Sequence, residues 1–366
     1  MHALPAPRPG TIDAPGAGFN SVPGHLTPAL HCGKIGLMAT DTASPNDSAP
    51  DMAAVIEVAT RLETARASVP GFDGAEAGPL IRLVPGKRAI FEGRLDGRPV
   101  VFRVTLDPRD DSIAREWAEM QRLWPHMCDG RFRIAEPLLC APEQGILVIA
   151  AVQGTPLMQH LWQSPPETRT RHFLPAATWL RRATDMSEGW QPARVRGWIG
   201  RAERAATRQP FASLRRIESD LLGELARIGA LIEGHDWRCA ICHGDMHPNN
   251  LILDGDRLTG IDLGGSARTP VYKDMARFLV HMGRRGMLPS GRAWLGVDAD
   301  GIEAFTTAFG LTGRERRLCL PFMIGVEVLI RVESEDLSRS RIRRAEAMYA
   351  ATLDDMRRTG DALDDV

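Results

Sequence analysis

Residues 239–250 read CAICHGDMHPNN, and this stretch decides which kind of protein the chain is. Its first half is a Cys-x-x-Cys-His pattern ending at His243, the spacing at which a c-type haem is attached. Its second half runs from a His-Gly-Asp triplet ending at Asp245 to Asn250, which places a carboxylate and an amide five residues apart. The two halves share His243 and predict different chemistry, so the rest of the chain has to decide between them.

Composition and the N-terminal sequence argue against the haem hypothesis. The chain has 366 residues, of which 43% are hydrophobic and 25% are charged, as in an ordinary globular protein. Its formal net charge of -1 gives no indication of a nucleic-acid or acidic-membrane partner. The first thirty residues lack the apolar core of a secretory signal, whereas haem c is attached outside the cytoplasm. The longest apolar run, Ile146 to Val152, is too short to cross a bilayer. We therefore expect a cytoplasmic protein with no membrane and no nucleic-acid partner.

The cysteines also fit a reducing compartment. Apart from Cys239 and Cys242 they are scattered along the chain and form no disulfide or zinc framework. This pair lies on the apolar run that leads into the loop. We therefore expect both thiols to pack in the core, with a redox pair as the alternative.

Composition divides the chain into three parts. Residues 1–75 are rich in Pro, Gly, Ala, Ser and Asp, and they contain too few large apolar residues to offset the entropy of ordering, so we expect a disordered tail. Met38 and Met52 are alternative initiators within this tail. Residues 76–150 are expected to form a small β-rich lobe, and residues 151–366 a larger helical lobe.

The small lobe is predicted to contain an antiparallel sheet and one helix. Asp96-Gly97 is a strong tight-hairpin signal between the apolar and β-branched runs Ala89–Leu95 and Val100–Leu106. Alternate residues of the second run are predicted to face opposite sides of the sheet. Apolar residues recur at helical spacing from Ile113 to Trp124, and Gly145–Ala150 is predicted to be a buried strand.

The larger lobe is predicted to be mainly helical. Apolar residues spaced three and four apart predict helices over residues 157–235. A second hairpin is predicted around Asp254-Gly255, and Thr312 with Glu315 forms a capping box that opens a long helix through Val332. These elements predict an α+β protein with two lobes, whose chemical motifs lie on a hairpin between helices.

Three oxygen-bearing side chains are candidates for phosphoryl-transfer chemistry. Asp245 and Asn250 lie on the loop, and Asp262 lies at the end of the following hairpin. Phosphoryl transfer needs a carboxylate to orient the attacking hydroxyl and oxygen ligands to hold magnesium against the phosphates. Magnesium binds few carboxylates together with neutral oxygens, and the nucleotide and waters complete its octahedron. The three residues together therefore predict a magnesium-dependent transfer.

The sequence HGDMHPNN, residues 243–250, resembles the catalytic loop of the aminoglycoside phosphotransferase family, the small-molecule branch of the protein-kinase-like enzymes. Residues Gly260–Gly264 resemble the metal-binding motif of that family, and residues Pro270–Phe278 resemble its downstream Asp-Leu-Ala helix. The resemblance implies a two-lobed protein-kinase-like fold. It also implies transfer of the γ-phosphate of ATP, or of GTP, to a hydroxyl of a small molecule with the help of Mg²⁺.

Carried over residue by residue, the resemblance assigns a role to each matched position. It implies that Asp245 is the catalytic base or the group that orients the acceptor hydroxyl. It implies that Asn250 and Asp262 bind magnesium, and that His243 and Asp274 support the loop.

The small lobe departs from the family pattern at one position. The family carries a lysine on the third strand, paired with a glutamate on the next helix, to hold the nucleotide phosphates. This chain has Arg103 at the aligned position, and arginine differs from lysine in reach and geometry. Glu116 is the first candidate for its partner and Glu119 is the alternative. Lys87 on the preceding loop is an alternative cation.

Two further segments are nucleotide-site candidates by resemblance. Gly86, in the turn of residues 84–88, is the candidate for the phosphate-covering position, although protein kinases have three glycines there. Ala151 and Val152 follow a predicted strand and precede a Gly-x-Pro sequence. They are therefore candidates for the linker whose backbone meets adenine.

Three hypotheses follow for the function, and the sequence leaves the acceptor and the oligomeric state open. The first is an ATP-dependent kinase for small molecules, the second is a pseudokinase or nucleotide-binding regulatory module of the same fold, and the third is a haem or redox protein. Four acids have two interpretations, because they would attract a cationic acceptor but are also typical of a solvated helix face: Glu327, Glu333, Glu335 and Asp336.

Overall fold

A computed structural model of the chain describes the backbone of residues 52–364 and the side chains of residues 52–359. Residues 1–51, which make up most of the tail expected to be disordered and include Met38 and Cys32, lie outside the described residues. None of the described helices is long and apolar enough to cross a membrane.

The small lobe is an antiparallel sheet with a helix on each side. In chain order the elements are α1 (Met52–Ser68), β1 (Ala75–Val84), β2 (Arg88–Leu95), β3 (Arg98–Thr105), α2 (Ser112–Met127), β4 (Phe132–Ile134), β5 (Pro137–Ala141) and β6 (Ile146–Ala150). The strands of the sheet lie in the order β1-β2-β3-β6-β5, and β4 lies apart from them.

The β2–β3 hairpin forms where the sequence predicts it. Asp96 and Gly97 have φ values of 49° and 77°, the paired left-handed conformation that matches the twist of two joined strands. Along β3, Val100, Phe102 and Val104 are buried in one apolar cluster, while Val101 belongs to the other. The strand therefore has two apolar faces, and the face that carries Val101 and Arg103 is the one toward α2.

Helix α1 corrects the predicted limit of the disordered tail. Residues 52–68 belong to the segment expected to be disordered, but they form a helix whose Ala54, Val58, Leu62 and Ala65 are buried in the same cluster as the outer face of β3. Two of these residues are alanines, so the apolar stripe is narrow and its helical period is weak in the sequence. The small lobe consequently has two helices where one is predicted.

The larger lobe is mainly helical, as predicted. It contains α3 (Leu157–Gln163), α4 (Pro166–Arg169), α5 (Phe173–Thr184), α6 (Arg196–Ala206), α7 (Ala212–Ile232), α8 (Tyr272–Gly283), α9 (Ala299–Phe309), α10 (Leu320–Ile330) and α11 (Arg339–Asp364). Its short strands are β7 (Thr155–Pro156), β8 (Gly189–Pro192), β9 (Asp236–Cys242), β10 (Leu251–Asp254), β11 (Arg257–Gly260), β12 (Ala267–Pro270), β13 (Ala293–Trp294) and β14 (Val297–Asp298).

Two small sheets position the loop of residues 243–250. Strand β9 lies between β8 and β12, and it ends at Cys242, immediately before the loop. After the loop, β10 and β11 form the second predicted hairpin, in which Leu251 is opposite Gly260. Strand β11 also pairs in parallel with β4, so the hairpin is joined to the segment that follows α2. The candidate residues are therefore mounted on short strands packed among helices.

The predicted capping box is present and has a second role. The Glu315 N–H donates to Thr312 Oγ1 at 3.2 Å, and the Thr312 N–H donates to Glu315 Oε2 at 2.8 Å. Glu315 Oε1 also accepts from Arg238 on β9 at 2.9 Å and from the Tyr272 hydroxyl on α8 at 2.8 Å. The chain continues through a π-helical turn, Glu315–Cys319, into α10, which ends two residues before the predicted Val332. One buried carboxylate thus joins the start of this helical segment to the strand before the loop.

Candidate active site

The direction of the loop after β9 is set by a glycine. Gly244 has a φ of +86°, and a Cβ built on it would lie 1.9 Å from the carbonyl oxygen of Gly265. Any other residue would collide with the backbone that follows Asp262. The Gly244 N–H donates to both carboxylate oxygens of the buried Asp274, at 3.2 and 3.0 Å. Asp274 therefore holds the loop from the first turn of α8.

His243 joins the loop to the strand end that carries Asp262. Its Nε2 lies 3.0 Å from the carbonyl oxygen of Ile261, and its Nδ1 lies 3.4 Å from the backbone nitrogen of Asp245. A carbonyl oxygen only accepts, so Nε2 carries the proton and Nδ1 accepts from the Asp245 N–H. The neutral ring of His243 satisfies both contacts and fixes the spacing between the two backbones.

Asn250 lies at the base of the β10–β11 hairpin, next to the segment that leads to Asp262. Its side-chain Nδ2 donates to the backbone carbonyl oxygen of Asp245 at 3.0 Å, and its backbone carbonyl oxygen accepts from the Ile261 N–H at 3.0 Å. Because the amide nitrogen is used inside the loop, the amide oxygen is the atom left for another ligand. These bonds bring Asn250, Asp245 and the strand end before Asp262 together.

Asp262 has a backbone conformation that is uncommon for a residue with a side chain. Its φ and ψ are +64° and +56°, in the left-handed region, which costs conformational energy and recurs at functional sites. Its side chain is 33% exposed, in contrast to the buried residues around it. The turn therefore presents this carboxylate to the space between the small lobe and the loop.

Arg103 on β3 bridges two carboxylates from different elements. Its Nη1 lies 2.5 Å from Glu116 Oε1 on α2 and 3.0 Å from Asp262 Oδ1. Glu116 Oε1 also accepts from the Leu263 N–H at 3.2 Å. The sheet of the small lobe, α2 and the Asp262 turn are thus joined at one guanidinium.

The structure distinguishes between the alternatives that the sequence leaves open in the small lobe. Glu119 forms two hydrogen bonds with Arg122, at 2.7 and 2.6 Å. Lys87 is exposed in the turn between β1 and β2. Of the two predicted glutamates, Glu116 is therefore the one that contacts Arg103.

Burial and charge act in opposite directions on this cluster. Burial raises the pKa of Glu116 to about 7, although the charge of Arg103 opposes the shift. For Asp262, burial also favours the neutral form, but the charges of Arg103 and Arg88 hold its pKa below the usual value. The charge of Asp245 acts on Asp262 as well, so the two carboxylates are near enough to interact. The sequence gives no indication of the role of Arg88, because its charge is brought near Asp262 only by the pairing of β1, β2 and β3.

The remaining nucleotide-site candidates lie at turns and connections. Gly86, in the turn between β1 and β2, has a φ of +64° and open space where a Cβ would be. Ala151 follows β6, and its N–H donates to the carbonyl oxygen of Pro99 at 3.1 Å. Val152 comes next and is half-buried against the larger core. Ala151 and Val152 therefore form the start of the connection from the small sheet to β7.

Asp245 lies among cationic side chains that the sequence analysis did not predict. Its Oδ1 accepts from Arg277 Nε on α8 at 2.7 Å and lies 3.6 Å from Arg331 Nη2, just after α10. Its Oδ2 lies 3.5 Å from Nε2 of the buried His247. Burial opposes ionisation, but His247 and the charge of Arg277 bring the pKa of Asp245 well below its usual range. Asp245 is therefore an ionised carboxylate at neutral pH.

One buried glutamate anchors both arginines. Glu327 on α10 accepts from Arg331 Nε at 2.8 Å, and its Oε1 lies 3.6 Å from Arg277 Nε. Two weak signals for this group exist in the sequence. Arg331 follows Glu327 by four residues, the spacing of a helical ion pair, and Arg277 lies within the quoted segment Pro270–Phe278. Neither signal indicates that both side chains turn toward Asp245.

The four acids predicted either to attract a cationic acceptor or to lie on a solvated helix face fall into two groups, one buried and one exposed. Glu327 and Glu333 are buried, and Glu333 forms an ion pair with Arg284. Glu335 and Asp336 are exposed after the end of α10. The first two acids are thus neutralised by arginines, and the structure gives no support to a cationic acceptor.

The two cysteines of the quoted stretch are core residues of β9. Cys239 and Cys242 are both free and buried. Burial raises the pKa of both thiols above the usual value, which keeps them protonated and unreactive. Packing, the favoured prediction, accounts for both residues.

The donor set near Asp262 fits a magnesium ion bound jointly with a nucleotide. Among residues 52–359, no group of three or more His, Cys, Asp or Glu side chains is placed to hold a metal. The set that the loop offers is smaller, because it consists of the partly exposed carboxylate of Asp262 and the amide oxygen of Asn250. Magnesium sites completed by phosphates and water have this composition.

Comparison with models of known protein families gives a match over most of the described residues. A sequence model of the phosphotransferase enzyme family matches residues 90–309, which include the small-lobe sheet from β2, the loop, the β10–β11 hairpin and α8. A comparison with curated proteins finds no match.

Solved structures share the fold. A putative aminoglycoside phosphotransferase from Ralstonia eutropha JMP134 is 19% identical, with a TM-score of 0.55, and the match covers 82% of this chain and 98% of that chain. An amicoumacin kinase solved in complex with AMP-PNP, Ca²⁺ and the compound abbreviated Ami is 12% identical, with a TM-score of 0.54 and coverage of 83% of this chain and 96% of that chain. A choline/ethanolamine kinase family protein from Mesorhizobium loti is 15% identical, with a TM-score of 0.51 and coverage of 82% and 99%. At these identities the likeness shows the fold, which is the predicted two-lobed kinase-like α+β fold.

Proposed function

The chain belongs to the phosphotransferase enzyme family, and from this premise we propose that it is an ATP-dependent kinase for a small molecule. In the proposed reaction it transfers the γ-phosphate of ATP to a hydroxyl group. The observation that carries the proposal is the hydrogen-bonded unit formed by His243, Asp245 and Asn250 with the strand end before Asp262. These residues match the motif of the family, and they meet where the loop after β9 joins the β10–β11 hairpin.

In this proposal Asp245 orients the acceptor hydroxyl. Its pKa lies well below the usual range, so the carboxylate is ionised when the acceptor arrives. Such a carboxylate is a weak base that holds the hydroxyl in line and takes its proton only as the oxygen bonds to phosphorus. Asp274 and His243 support the loop that carries it, through the Gly244 N–H and the Asp245 N–H.

The nucleotide side follows from the remaining candidates. Asn250 and Asp262 would hold magnesium, which when bound neutralises charge on the phosphates. Arg103, kept in place by Glu116, would contact the phosphates where the family has lysine, and Gly86 would cover them from the β1–β2 turn. Ala151 and Val152 would meet the base of ATP or GTP through their backbone groups.

A second candidate function is supported by a specific contact. The same Nη1 atom of Arg103 contacts both Glu116 and Asp262, so the residue proposed to hold phosphate is already bound to a proposed metal ligand. A pseudokinase or a nucleotide-binding regulatory module would tolerate that arrangement. Transfer activity would require Arg103 to exchange Asp262 for a phosphate when the nucleotide and metal enter.

Binding and turnover separate the hypotheses. Calorimetry with Mg·ATP and Mg·GTP on the full chain is expected to give saturable binding to at least one nucleotide. ATP consumption is then measured against hydroxyl compounds of different classes. Binding with acceptor-dependent turnover supports the kinase, and binding without turnover supports the regulatory module. Absence of nucleotide binding would contradict both, and a Soret band in the purified protein would support the haem alternative.

The proposed cellular setting follows from the proposed chemistry. ATP and Mg²⁺ are available in the cytoplasm, where we infer that the protein acts on a free small molecule without a nucleic-acid or membrane partner. Activity confined to a membrane fraction after cell lysis would contradict this part of the proposal.

A further inference from the structure

A cleft lined by arginines shares one residue, Arg331, with the surroundings of Asp245. Its volume is about 340 Å³, within the range of pockets that bind small metabolites. Four of its lining residues are arginines and the other two are apolar: Arg201, Arg204, Ala205, Arg208, Ile330 and Arg331. No acidic residue is among the described residues that line it. The cleft is therefore strongly positive.

Three of these arginines come from α6 and the residues just after it, and they are free to bind a ligand. Arg201, Arg204 and Arg208 are exposed and recur at spacings of three and four residues along α6 and its C-terminal end. Within residues 52–359 none of the three forms an ion pair with an acid. The guanidinium of Arg201 lies 5.1 Å from the ring centroid of Trp198, a cation–π contact that restrains its position. Three like charges converge here without a neutralising carboxylate.

Arg331 connects the cleft to the reacting end of the site. It lines the cleft, and its Nη2 lies 3.6 Å from Asp245 Oδ1. Its Nε donates to the buried Glu327 at 2.8 Å, which fixes the direction of the guanidinium. A single side chain therefore separates the cleft from the carboxylate proposed to orient the acceptor hydroxyl.

We propose that the acceptor is an anionic alcohol, whose phosphate or carboxylate group is bound by Arg201, Arg204, Arg208 and Arg331 and whose hydroxyl reaches Asp245. This inference rests on the proposed function. Guanidinium groups form forked, charge-assisted hydrogen bonds with either anion. A phosphate monoester fits better than a single carboxylate, because it offers more oxygens and more charge to four arginines. A cationic acceptor would meet repulsion at the same place.

The transfer that this acceptor would undergo is balanced without a further reactant. The acceptor hydroxyl oxygen forms a bond to the γ-phosphorus of ATP while the bond from that phosphorus to the β–γ bridging oxygen breaks. The bonding electrons leave with ADP, and the hydroxyl proton passes to Asp245 and then to solvent. The anionic group of the acceptor stays unchanged in the cleft.

Inorganic phosphate is a direct probe of the cleft. Calorimetry is done with the full chain in saturating Mg·ADP, so that the nucleotide site is filled, and phosphate is titrated into the wild type, Arg204→Gln and Arg331→Gln. Each variant is expected to bind phosphate about tenfold or more weakly, because hydrogen bonds to charged groups typically contribute that much. The matched control is Arg216→Gln, which removes an exposed arginine of α7 that does not line the cleft, and its affinity is expected to equal that of the wild type. Absence of phosphate binding, or equal affinity in all four proteins, would overturn the proposal.

Turnover with matched acceptors tests the same idea independently. ATP consumption is compared for a polyol, its phosphate monoester, the corresponding hydroxy acid and the corresponding amine. The phosphate ester is expected to have the highest kcat/KM, and Arg204→Gln is expected to lower that value by a larger factor than it lowers the value for the neutral polyol, whereas the control Arg216→Gln is expected to leave both values unchanged. A preference for the hydroxy acid identifies the carboxylate as the bound anion and keeps the inference. A preference for the amine or the neutral polyol overturns it while leaving the kinase function standing, whereas absence of Mg·ATP binding overturns the kinase function itself.

Discussion

Asp262 and Asp245 are two carboxylates of one site, and both are built into arginine clusters anchored by a buried glutamate. At the small-lobe end Arg103 bridges Glu116 and Asp262. At the other end Arg277 and Arg331 lie between Glu327 and Asp245. The plan is the same, but the charges differ. Within ion-pair distance, one guanidinium faces two carboxylates at the Asp262 end, where the charge of Arg88 acts without forming an ion pair, whereas two guanidiniums face two carboxylates at the Asp245 end.

This difference indicates what each end is able to accept. At the Asp262 end the carboxylates outnumber the guanidinium that pairs with them, and in the proposed function a divalent cation entering with a nucleotide would bind there. At the Asp245 end the paired charges are balanced, and Arg331 also lines a cleft with three further arginines, so an anion is favoured there. In the proposed function the metal and the acceptor would therefore bind at opposite ends of the site, and each of the following substitutions is made at one end.

The largest expected effect is on turnover at the Asp245 end. Asp245→Asn is expected to lower kcat by about 10²–10⁴-fold, because the orienting carboxylate and proton acceptor are lost. The Kd for Mg·ATP is expected to stay within about twofold, since Asp245 is not among the proposed metal ligands. Steady-state kinetics and calorimetry measure the two quantities. The control is Asp256→Asn, an exposed aspartate in the β10–β11 turn, and a kcat equal to that of the wild type in Asp245→Asn would show that the two ends are wrongly assigned.

The next effect is on nucleotide affinity at the Asp262 end. Asp262→Ala is expected to weaken Mg·ATP binding by at least about 10–100-fold, the loss that follows even from altering residues that merely orient metal ligands. The fold is expected to persist, because Arg103 keeps its bond to Glu116. Calorimetry with and without Mg²⁺ measures the effect, with Asp254→Ala in the neighbouring turn as the control. Unchanged affinity in the presence of Mg²⁺ would count against Asp262 as a ligand.

A third effect is the pH dependence of stability that Glu116 introduces. Burial raises the pKa of Glu116 to about 7 in the folded protein, so the folded state holds its proton more tightly than the unfolded state. The contribution of Glu116 to stability is therefore present at low pH and is lost as the pH rises toward and through 7. Relative to Glu116→Gln, the free energy of unfolding of the wild type is expected to fall by roughly 1–3 kcal/mol between about pH 5 and pH 8. Denaturant titrations at several pH values measure this difference, and parallel pH profiles for the two proteins would contradict the raised pKa.

The smallest expected effect is the exchange of arginine for the family's lysine. Arg103→Lys is expected to keep nucleotide affinity within about threefold or to raise it, because lysine supplies the same charge and frees Asp262 from a direct contact. The measurement is Mg·ATP calorimetry, and Arg98→Lys, an exposed arginine at the start of β3, is the matched control. A collapse of affinity in Arg103→Lys alone would mean that the forked guanidinium is itself required.

The parts of the molecule that were predictable from the sequence are those fixed by neighbours in the chain. Asp96-Gly97 encodes a hairpin because both residues tolerate a positive φ, and Thr312 with Glu315 encodes a cap because the two side chains serve each other's backbone. The loop motif indicates the family because its spacing places Asn250 and Asp245 in one hydrogen-bonded unit. The family match over residues 90–309 confirms that resemblance.

The parts that were not predictable depend on contacts between distant segments. Helix α1 was missed because its stripe is half alanine and gains its stability from a sheet that follows it in the chain. Arg88 and Arg331 are ordinary surface arginines in the sequence, and only the packing of strands and helices turns them toward Asp262 and Asp245. The left-handed backbone of Asp262 has no sequence signal either, because aspartate adopts it far less often than glycine.

The bonds of His243 have a consequence for how the two ends of the site communicate. The His243 ring donates from Nε2 to the carbonyl oxygen of Ile261, just before Asp262, and accepts at Nδ1 from the Asp245 N–H. The distance between these two segments is therefore set by a rigid ring with one donor and one acceptor nitrogen. A displacement of either segment has to move the ring, and through it the other segment. The imidazole therefore couples the two segments. The ¹⁵N chemical shifts of its Nδ1 and Nε2 are expected to change both when a nucleotide binds near Asp262 and when an acceptor binds near Asp245.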